Sequence, residues 1–399
     1  MSKFCQVRLN GTTTKNAIEY KIGQEIVFKL HIETNDVSVP YIPYIKYLIK
    51  RDGDETVSGF AQQQEDGCFY VSTTLNCPGF AYLQAFACDQ SKQIIESIAQ
   101  FDGGAGADIY NINLGSEIPE KYMDYWENLK KTVYSTPLQV VSETQIEDEN
   151  HPSFIIKDYD IKTAFDTVAC CRVTYPSNAK KGSLKLKMHY MGYGVYGCST
   201  LAQDGFMNVS TNTHSIPNGQ TPEFYEKYHK EHLNNYGLDK QQNACAETSY
   251  WNLVFARNFQ VLKFFMQNEL INGKDYIFTG SSQGGMQACI MAAHSGVATR
   301  CYADLSWLCD LGGKDKYARI PGWNIGNMSG IRHFDTAIAA RYLKCPIEMN
   351  AGLGDYCCQP SGQMAMYNGI TAPKKLTFYQ NTGHTTDYPN NPSYTIQQK

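Results

Sequence analysis

Tyr276-Ile-Phe-Thr-Gly-Ser-Ser-Gln-Gly-Gly285 is the stretch that decides the fold. Its first three residues are a short β-rich run, Gly280-Ser-Ser-Gln-Gly284 fits the pattern G-x-S-x-G, and Met286 to Ala293 is an apolar segment suited to a helix. Strand, G-x-S-x-G, helix is the context in which that pattern acquires meaning. A serine on so sharp a strand-to-helix turn sits in strained backbone, and its neighbours two residues away on either side must lack a Cβ. Gly280 and Gly284 meet that demand. The helix N-terminus also aims N–H groups and its positive dipole end at the space beside the Ser282 hydroxyl. The same residues fit an ordinary Gly/Ser turn, so partners elsewhere in the chain must decide.

A serine hydroxyl is a poor nucleophile until a base takes its proton, and a third group must hold that base. In an α/β-hydrolase sheet the acid and then the histidine follow the serine, each just past a later strand. Pro346-Ile-Glu-Met-Asn-Ala351 reads as a strand and runs into Gly352-Leu-Gly-Asp355. Lys375-Leu-Thr-Phe-Tyr379 reads as the next and runs into Asn381-Thr-Gly-His384. Both loops lie at carboxyl ends of strands, where open α/β sheets bind ligands. Asp304, Asp310 and Asp335 are rival acids that follow no clear strand, and His294 and His333 are rival bases that read as helix-face or loop residues. The expected triad is Ser282, Asp355 and His384.

At 399 residues the chain is long enough for two domains. A formal net charge of -4 without any basic cluster gives no electrostatic reason to expect nucleic acid. No run approaches the ~20 apolar residues of a membrane helix. The first residues lack the apolar core of a signal peptide. The expectation is a cytoplasmic protein as the sequence stands, or a periplasmic or secreted one if an export signal has been removed. The 14 cysteines include no Cys-x-x-Cys pair, which fits buried thiols acting as small hydrophobes better than a metal cluster. Cys68 and Cys77 flank a strand and are candidates for a bridge. His229 and His232, three apart in a charged helix, have no evident third metal ligand.

Along the amino-terminal part, Ile26, Phe28, Leu30 and Ile32 alternate with polar residues, as in a half-buried strand. Further strands are expected at Ile45 to Lys50, Cys68 to Thr73 and Gly79 to Ala87, with turn-prone stretches between them. Short strands at this spacing predict a small all-β, immunoglobulin-like sandwich over residues 1–110. Asp102-Gly-Gly-Ala-Gly-Ala-Asp108 reads as a glycine-rich linker out of it. Residues 117–399 then read as an α/β-hydrolase catalytic domain, a mostly parallel sheet flanked by helices. Helices are expected at Pro119 to Val133 and Tyr250 to Asn268, and a strand at Leu184 to Tyr190. On this division the second part should hold all the chemistry by itself.

Acyl transfer places negative charge on the carbonyl oxygen, and preset N–H donors stabilise it. One donor is normally the residue after the nucleophile, here Gln283, and the other comes from a loop after an earlier strand. Tyr193 stands in such a loop, with Gly192 and Gly194 allowing close approach of the backbone.

Several segments together carry a resemblance. They are Pro119 with Tyr125-Trp126, Met191-Gly-Tyr193, His214-Ser-Ile-Pro-Asn-Gly219, Gly280 to Gly285, Pro321-Gly-Trp323, Gly352-Leu-Gly-Asp355 with Cys358-Gln-Pro360, and Gly383-His384. On these the sequence resembles the acetyl xylan esterase / cephalosporin-C deacetylase family of α/β-hydrolases over residues 117 to 390. The resemblance implies Ser282 as nucleophile, Asp355 and His384 as its partners, and Tyr193 and Gln283 as oxyanion donors. It also implies hydrolysis of carbohydrate acetyl esters through an acyl-enzyme, with an acetylated oligo- or polysaccharide as substrate. No cofactor and no metal is expected, and homo-oligomerisation stays open. Three departures bear on substrate more than on mechanism. Met191-Gly-Tyr193 stands where the family commonly has His-Gly-Tyr, the stretch His214 to Gly219 replaces an Arg-Gly-Gln motif, and Cys358-Gln-Pro360 replaces Cys-Pro-Pro. The alternatives are a serine hydrolase for another acyl ester or a peptide, and a catalytically idle carbohydrate-binding or adhesion protein.

Overall fold

Among the described residues, seven strands come first. They are β1 (Val7–Thr13), β2 (Ile26–Thr34), β3 (Tyr44–Arg51), β4 (Asp54–Gln62), β5 (Phe69–Thr73), β6 (Gly79–Cys88) and β7 (Phe101–Ala107). The structure is a computed structural model, described here for residues 7–35, 39–323, 325–388 and 391–399. The strands form two antiparallel sheets in the orders β1-β2-β5 and β4-β3-β6-β7. With A, B and E on one side and C′, C, F and G on the other, these are the orders of an immunoglobulin-like sandwich. The period-two reading of β2 holds, since Ile26, Phe28 and Leu30 are buried while Lys29 and His31 face water.

One expectation fails here. The stretch from Asp102 to Asp108 is no linker, because β7 pairs along its length with β6 and most of it is buried. Its glycines serve close approach instead of flexibility. A Cβ on Gly104 would press against the Leu353 carbonyl oxygen, and one on Gly106 against Ile109. Cys68 and Cys77 are both free thiols, so no bridge joins them.

The remaining strands build one large sheet. They are β8 (Gln139–Ile146), β9 (Phe154–Lys162), β10 (Val168–Pro176), β11 (Leu184–Tyr190), β12 (Phe206–Thr211), β13 (Ile271–Ser281), β14 (Arg300–Asp304), β15 (Ile347–Gly352), β16 (Lys374–Tyr379) and β17 (Ser393–Gln398). Their order is β17-β16-β15-β14-β13-β11-β12-β10-β9-β8. From β12 to β16 the neighbours run parallel, and the outer strands are antiparallel. Parallel neighbours require crossovers, and helices supply them. The helices are α1 (Tyr122–Ser135), α2 (Pro222–His232), α3 (Tyr250–Phe265), α4 (Gln283–His294), α5 (Gly313–Tyr317), α6 (Thr336–Ala339) and α7 (Pro360–Gly369). This is the α/β-hydrolase arrangement expected from the sequence. α3 and α4 are buried almost all round, so both are enclosed by their neighbours. Ser249 caps α3 by accepting the Trp251 N–H. Among the described residues no helix is long and apolar enough to cross a membrane.

The two parts are stitched together beside the carboxyl ends of β15 and β16. Asp52 accepts the Ile320 N–H at 2.8 Å, the Asn381 side chain donates to the Leu9 carbonyl at 3.0 Å, and Phe80 packs on Phe378 with ring centroids 5.5 Å apart.

Candidate active site

Ser282 sits between β13 and α4 with φ 58 and ψ -122, a left-handed conformation that costs an L-residue about 1–3 kcal/mol. Its neighbours show why the sequence must read glycine there. A Cβ on Gly280 would run into the backbone of Gly284, and one on Gly284 would run into the Tyr190 carbonyl of β11. The strained turn is clamped through its own peptide groups. Ser282 N–H donates to the Asp304 carbonyl at 3.0 Å, and the Ser282 carbonyl accepts the Trp307 N–H at 3.0 Å.

The structure brings the three expected side chains into one line. His384 Nε2 lies 3.0 Å from Ser282 Oγ, and His384 Nδ1 lies 2.9 Å from Asp355 Oδ2. Asp355 is buried, and its other oxygen accepts the N–H groups of Cys357 at 2.8 Å and Cys358 at 2.9 Å. Those two bonds fix the carboxylate plane. The tautomer then follows, since a charged carboxylate only accepts: Nδ1 carries the proton and Nε2 is left as the acceptor facing Ser282. Burial and the Asp355 charge push the Cys358 thiol well up, so it stays protonated beside the serine.

The rival residues do other work. Asp304 is the last residue of a strand, β14, which the sequence reading did not see, and its carboxylate accepts the Asn350 N–H and side-chain amide at 3.1 and 2.9 Å. Asp310 accepts the N–H groups of Gly115 and Ser116 and pairs with Arg319. Asp335 caps α6 and accepts from Ser116. His294 stacks on Trp126 at 4.6 Å and meets the Tyr122 hydroxyl. His333 stacks over Tyr122. His229 lies edge-on to Tyr193, and His232 lies against Tyr228, so no described third ligand joins the pair.

Tyr193 and Gln283 come from two different elements. Tyr193 follows β11, and Gln283 opens α4. Among the described residues no acceptor meets either backbone N–H. Sequence reasoning missed what holds them. The buried Tyr236 hydroxyl accepts the Gly194 N–H at 3.0 Å and donates to the Gln283 side chain at 2.7 Å. The Tyr236 ring also stacks on the Tyr193 ring, with centroids 4.7 Å apart. His214 grips the same loop from behind, with Nε2 2.9 Å from the Gly194 carbonyl and Nδ1 2.6 Å from the Tyr250 hydroxyl. A carbonyl only accepts, so Nε2 must carry the proton. Burial lowers the His214 pKa to about 4, which keeps the ring neutral and this pattern intact. The Gln287 side chain adds a bond to the Met191 carbonyl at 3.1 Å. No periodicity marks Tyr236, which lies in irregular chain between α2 and α3.

Next to Cys357 and Cys358, whose N–H groups hold Asp355, opens a cavity of about 420 Å³ whose walls also include Trp307, Trp323, Lys314 and Asn327. Trp323 also packs against Tyr193 at 5.3 Å.

Comparison with known proteins places this geometry. The profile of the family described as Acetyl xylan esterase (AXE1) matches residues 108–320 and 324–396. Acetyl esterase Axe7A of Xylanibacter ruminicola is 25% identical over 189 residues, a match covering 44% of this chain and 42% of that protein's own length. An acetyl xylan esterase from a Paenibacillus species superposes with a TM-score of 0.57 at 18% identity, covering 70% of this chain and 94% of the other. Acetyl xylan esterase 1 from a Thermoanaerobacterium species does so with a TM-score of 0.57 at 17% identity, covering 70% and 93%. At these identities the structures speak for the fold.

Proposed function

This chain belongs to the acetyl xylan esterase family, and from that premise we propose that it is a serine esterase removing acetyl groups from carbohydrate. The observation that carries the proposal is the unbroken hydrogen-bonded line Asp355–His384–Ser282. His384 Nε2 takes the Ser282 proton as Oγ attacks the acetyl carbon. The N–H groups of Tyr193 and Gln283 receive the oxyanion, and Asp355 stabilises the imidazolium without taking its proton. His384 then protonates the departing sugar oxygen, leaving an acetyl-serine. A water molecule deprotonated by the same nitrogen releases acetate.

Two features support a sugar as the alcohol part. The cavity next to Cys357 has indole walls and polar groups at Lys314 and Asn327, the mixture that pyranose rings and hydroxyls meet well. The family's defining substrates are acetylated carbohydrates, so an acetylated oligo- or polysaccharide is the proposed partner. The test has two arms. A fluorophosphonate should label Ser282, and acetylated xylo-oligosaccharides should release acetate at a rate that Ser282→Ala reduces below a few percent. Labelling without acetate release would point to another acyl ester. Absence of labelling in the folded protein would favour the idle binding protein.

A further inference from the structure

Cys357 stands where neither the fold nor the ester chemistry needs a thiol. Its N–H holds Asp355, a task any residue's backbone performs, yet its sulfur lies with Asp355 and His384 in one cluster. One ligand atom from each of the three falls within 4.8 Å of the others, and this is the sole group of three or more such residues among the described residues. Thiolate, imidazole and carboxylate are the zinc ligands of proteins. Around a four-coordinate zinc ion, bond lengths of ~2.0–2.3 Å place the donors on the order of 3.5 Å apart. The side chains of Cys357 and His384 are only half buried, so rotation about their own torsions closes the remaining gap. An entry path exists, because Cys357 lines an open cavity.

We propose that Asp355, Cys357 and His384 form an inhibitory site for a thiophilic divalent cation of the zinc type, with water or Ser282 Oγ in the fourth position. Binding releases the thiol proton to solvent, leaves the imidazole neutral with its proton on the nitrogen the ion does not occupy, and changes no oxidation state. An ion on Nδ1 takes the place of the proton that Asp355 holds, and an ion on Nε2 occupies the lone pair that serves Ser282. Either way metal occupancy and base catalysis exclude each other, so the inhibition rests on the triad reading of the preceding section. Hard cations such as magnesium, which prefer an all-oxygen shell, should not compete.

The experiment titrates nitrophenyl acetate hydrolysis with zinc chloride, magnesium chloride and zinc plus chelator. It uses the whole chain, Cys357→Ser, and Cys245→Ser as a control at an exposed thiol. Each rate is taken relative to the same protein in chelator. Zinc should inhibit reversibly, magnesium should not, and Cys357→Ser should raise the inhibitory zinc concentration about tenfold or more, as loss of a ligand demands. Cys245→Ser should leave it unchanged. Equal zinc sensitivity of the wild type and Cys357→Ser, or equal inhibition by magnesium, would overturn the proposal. A second readout is independent of turnover. Cobalt(II) should give a thiolate-to-metal charge-transfer band that Cys357→Ser removes, and a band of undiminished strength in that variant would also overturn the site. Loss of all esterase activity in chelator would count against the proposed function while the cobalt spectrum still decides the site.

Discussion

The side chain of Gln380 pairs with both backbone groups of Gly104. Its oxygen accepts the Gly104 N–H and its amide donates to the Gly104 carbonyl, each at 2.9 Å. Gln380 therefore acts as an extra strand residue against the edge strand β7. It is fully buried and stands four residues before His384. Next to it, Asn381 accepts the Asp102 N–H at 3.1 Å. The loop that carries the base is thus moored to the amino-terminal sandwich.

Gln380→Ala should lower both Tm and kcat. Two buried backbone groups lose their partners, at a cost of about 1–3 kcal/mol each, and the His384 loop loses a fixed point. Deleting residues 1–110 should abolish turnover of nitrophenyl acetate, against the expectation from sequence that residues 117–399 suffice. A soluble, folded truncation that keeps wild-type turnover would show that the mooring is dispensable.

Tyr236→Phe keeps the ring stack on Tyr193 and removes the hydroxyl that joins Gly194 to Gln283. The candidate oxyanion donors then lose their common tether. We expect kcat to fall about tenfold, in line with loss of a buried hydrogen bond of roughly 1–1.5 kcal/mol, with KM little changed. A rise in KM at constant kcat would assign Tyr236 to substrate binding instead.

Acid should destabilise the fold through its buried histidines. Burial lowers His189 and His214 to about 4 and His294 to about 3, whereas an unfolded histidine titrates near 6.5. Between those values the unfolded chain binds more protons, so stability present above pH ~6.5 is lost as pH falls towards 4. Asp335 acts with the opposite sign. Burial and the nearby Asp310 charge push it up to about 6, so its protonated form favours the fold as pH drops below that value. His294→Gln should therefore flatten the fall of Tm between pH 6.5 and 4 by removing one of these loads. An unchanged slope would contradict the assignment.

The acyl group should be small. Tyr193, Tyr236, Trp323 and Trp307 form a connected aromatic wall near the serine, with centroid separations from 4.7 to 5.9 Å along Tyr236–Tyr193–Trp323–Trp307. Steric overlap with such a wall costs more than the ~0.8 kcal/mol gained per buried CH₂. Nitrophenyl acetate should be cleaved well, butyrate poorly and octanoate hardly at all. A kcat/KM that holds level or rises from acetate to octanoate would overturn the acetyl preference.

Features set by local sequence were legible from it. The elbow at Ser282 needs a strand, two glycines and a helix in direct succession, and all are written within a short stretch. Asp355 and His384 were legible because each follows a strand with a clear apolar pattern. Asp304 was misread because β14 is only five residues long, Arg300–Asp304, and too short to show a period. β7 was misread because glycine in a sequence signals freedom, whereas here it signals another backbone pressed close, and only the fold supplies that backbone. Tyr236 and Gln380 act through polar atoms at long separation in sequence, and no pattern of hydrophobicity records such contacts.

The left-handed backbone at Ser282 sets activity against durability. A glycine at that position would relieve about 1–3 kcal/mol of strain and return about 0.5–1 kcal/mol of it to the unfolded chain as freedom. An inert Ser282→Gly protein should therefore outlast the working one on heating. A library screened for survival alone would drift toward that dead variant, and thermal tolerance in this scaffold has to be selected together with turnover.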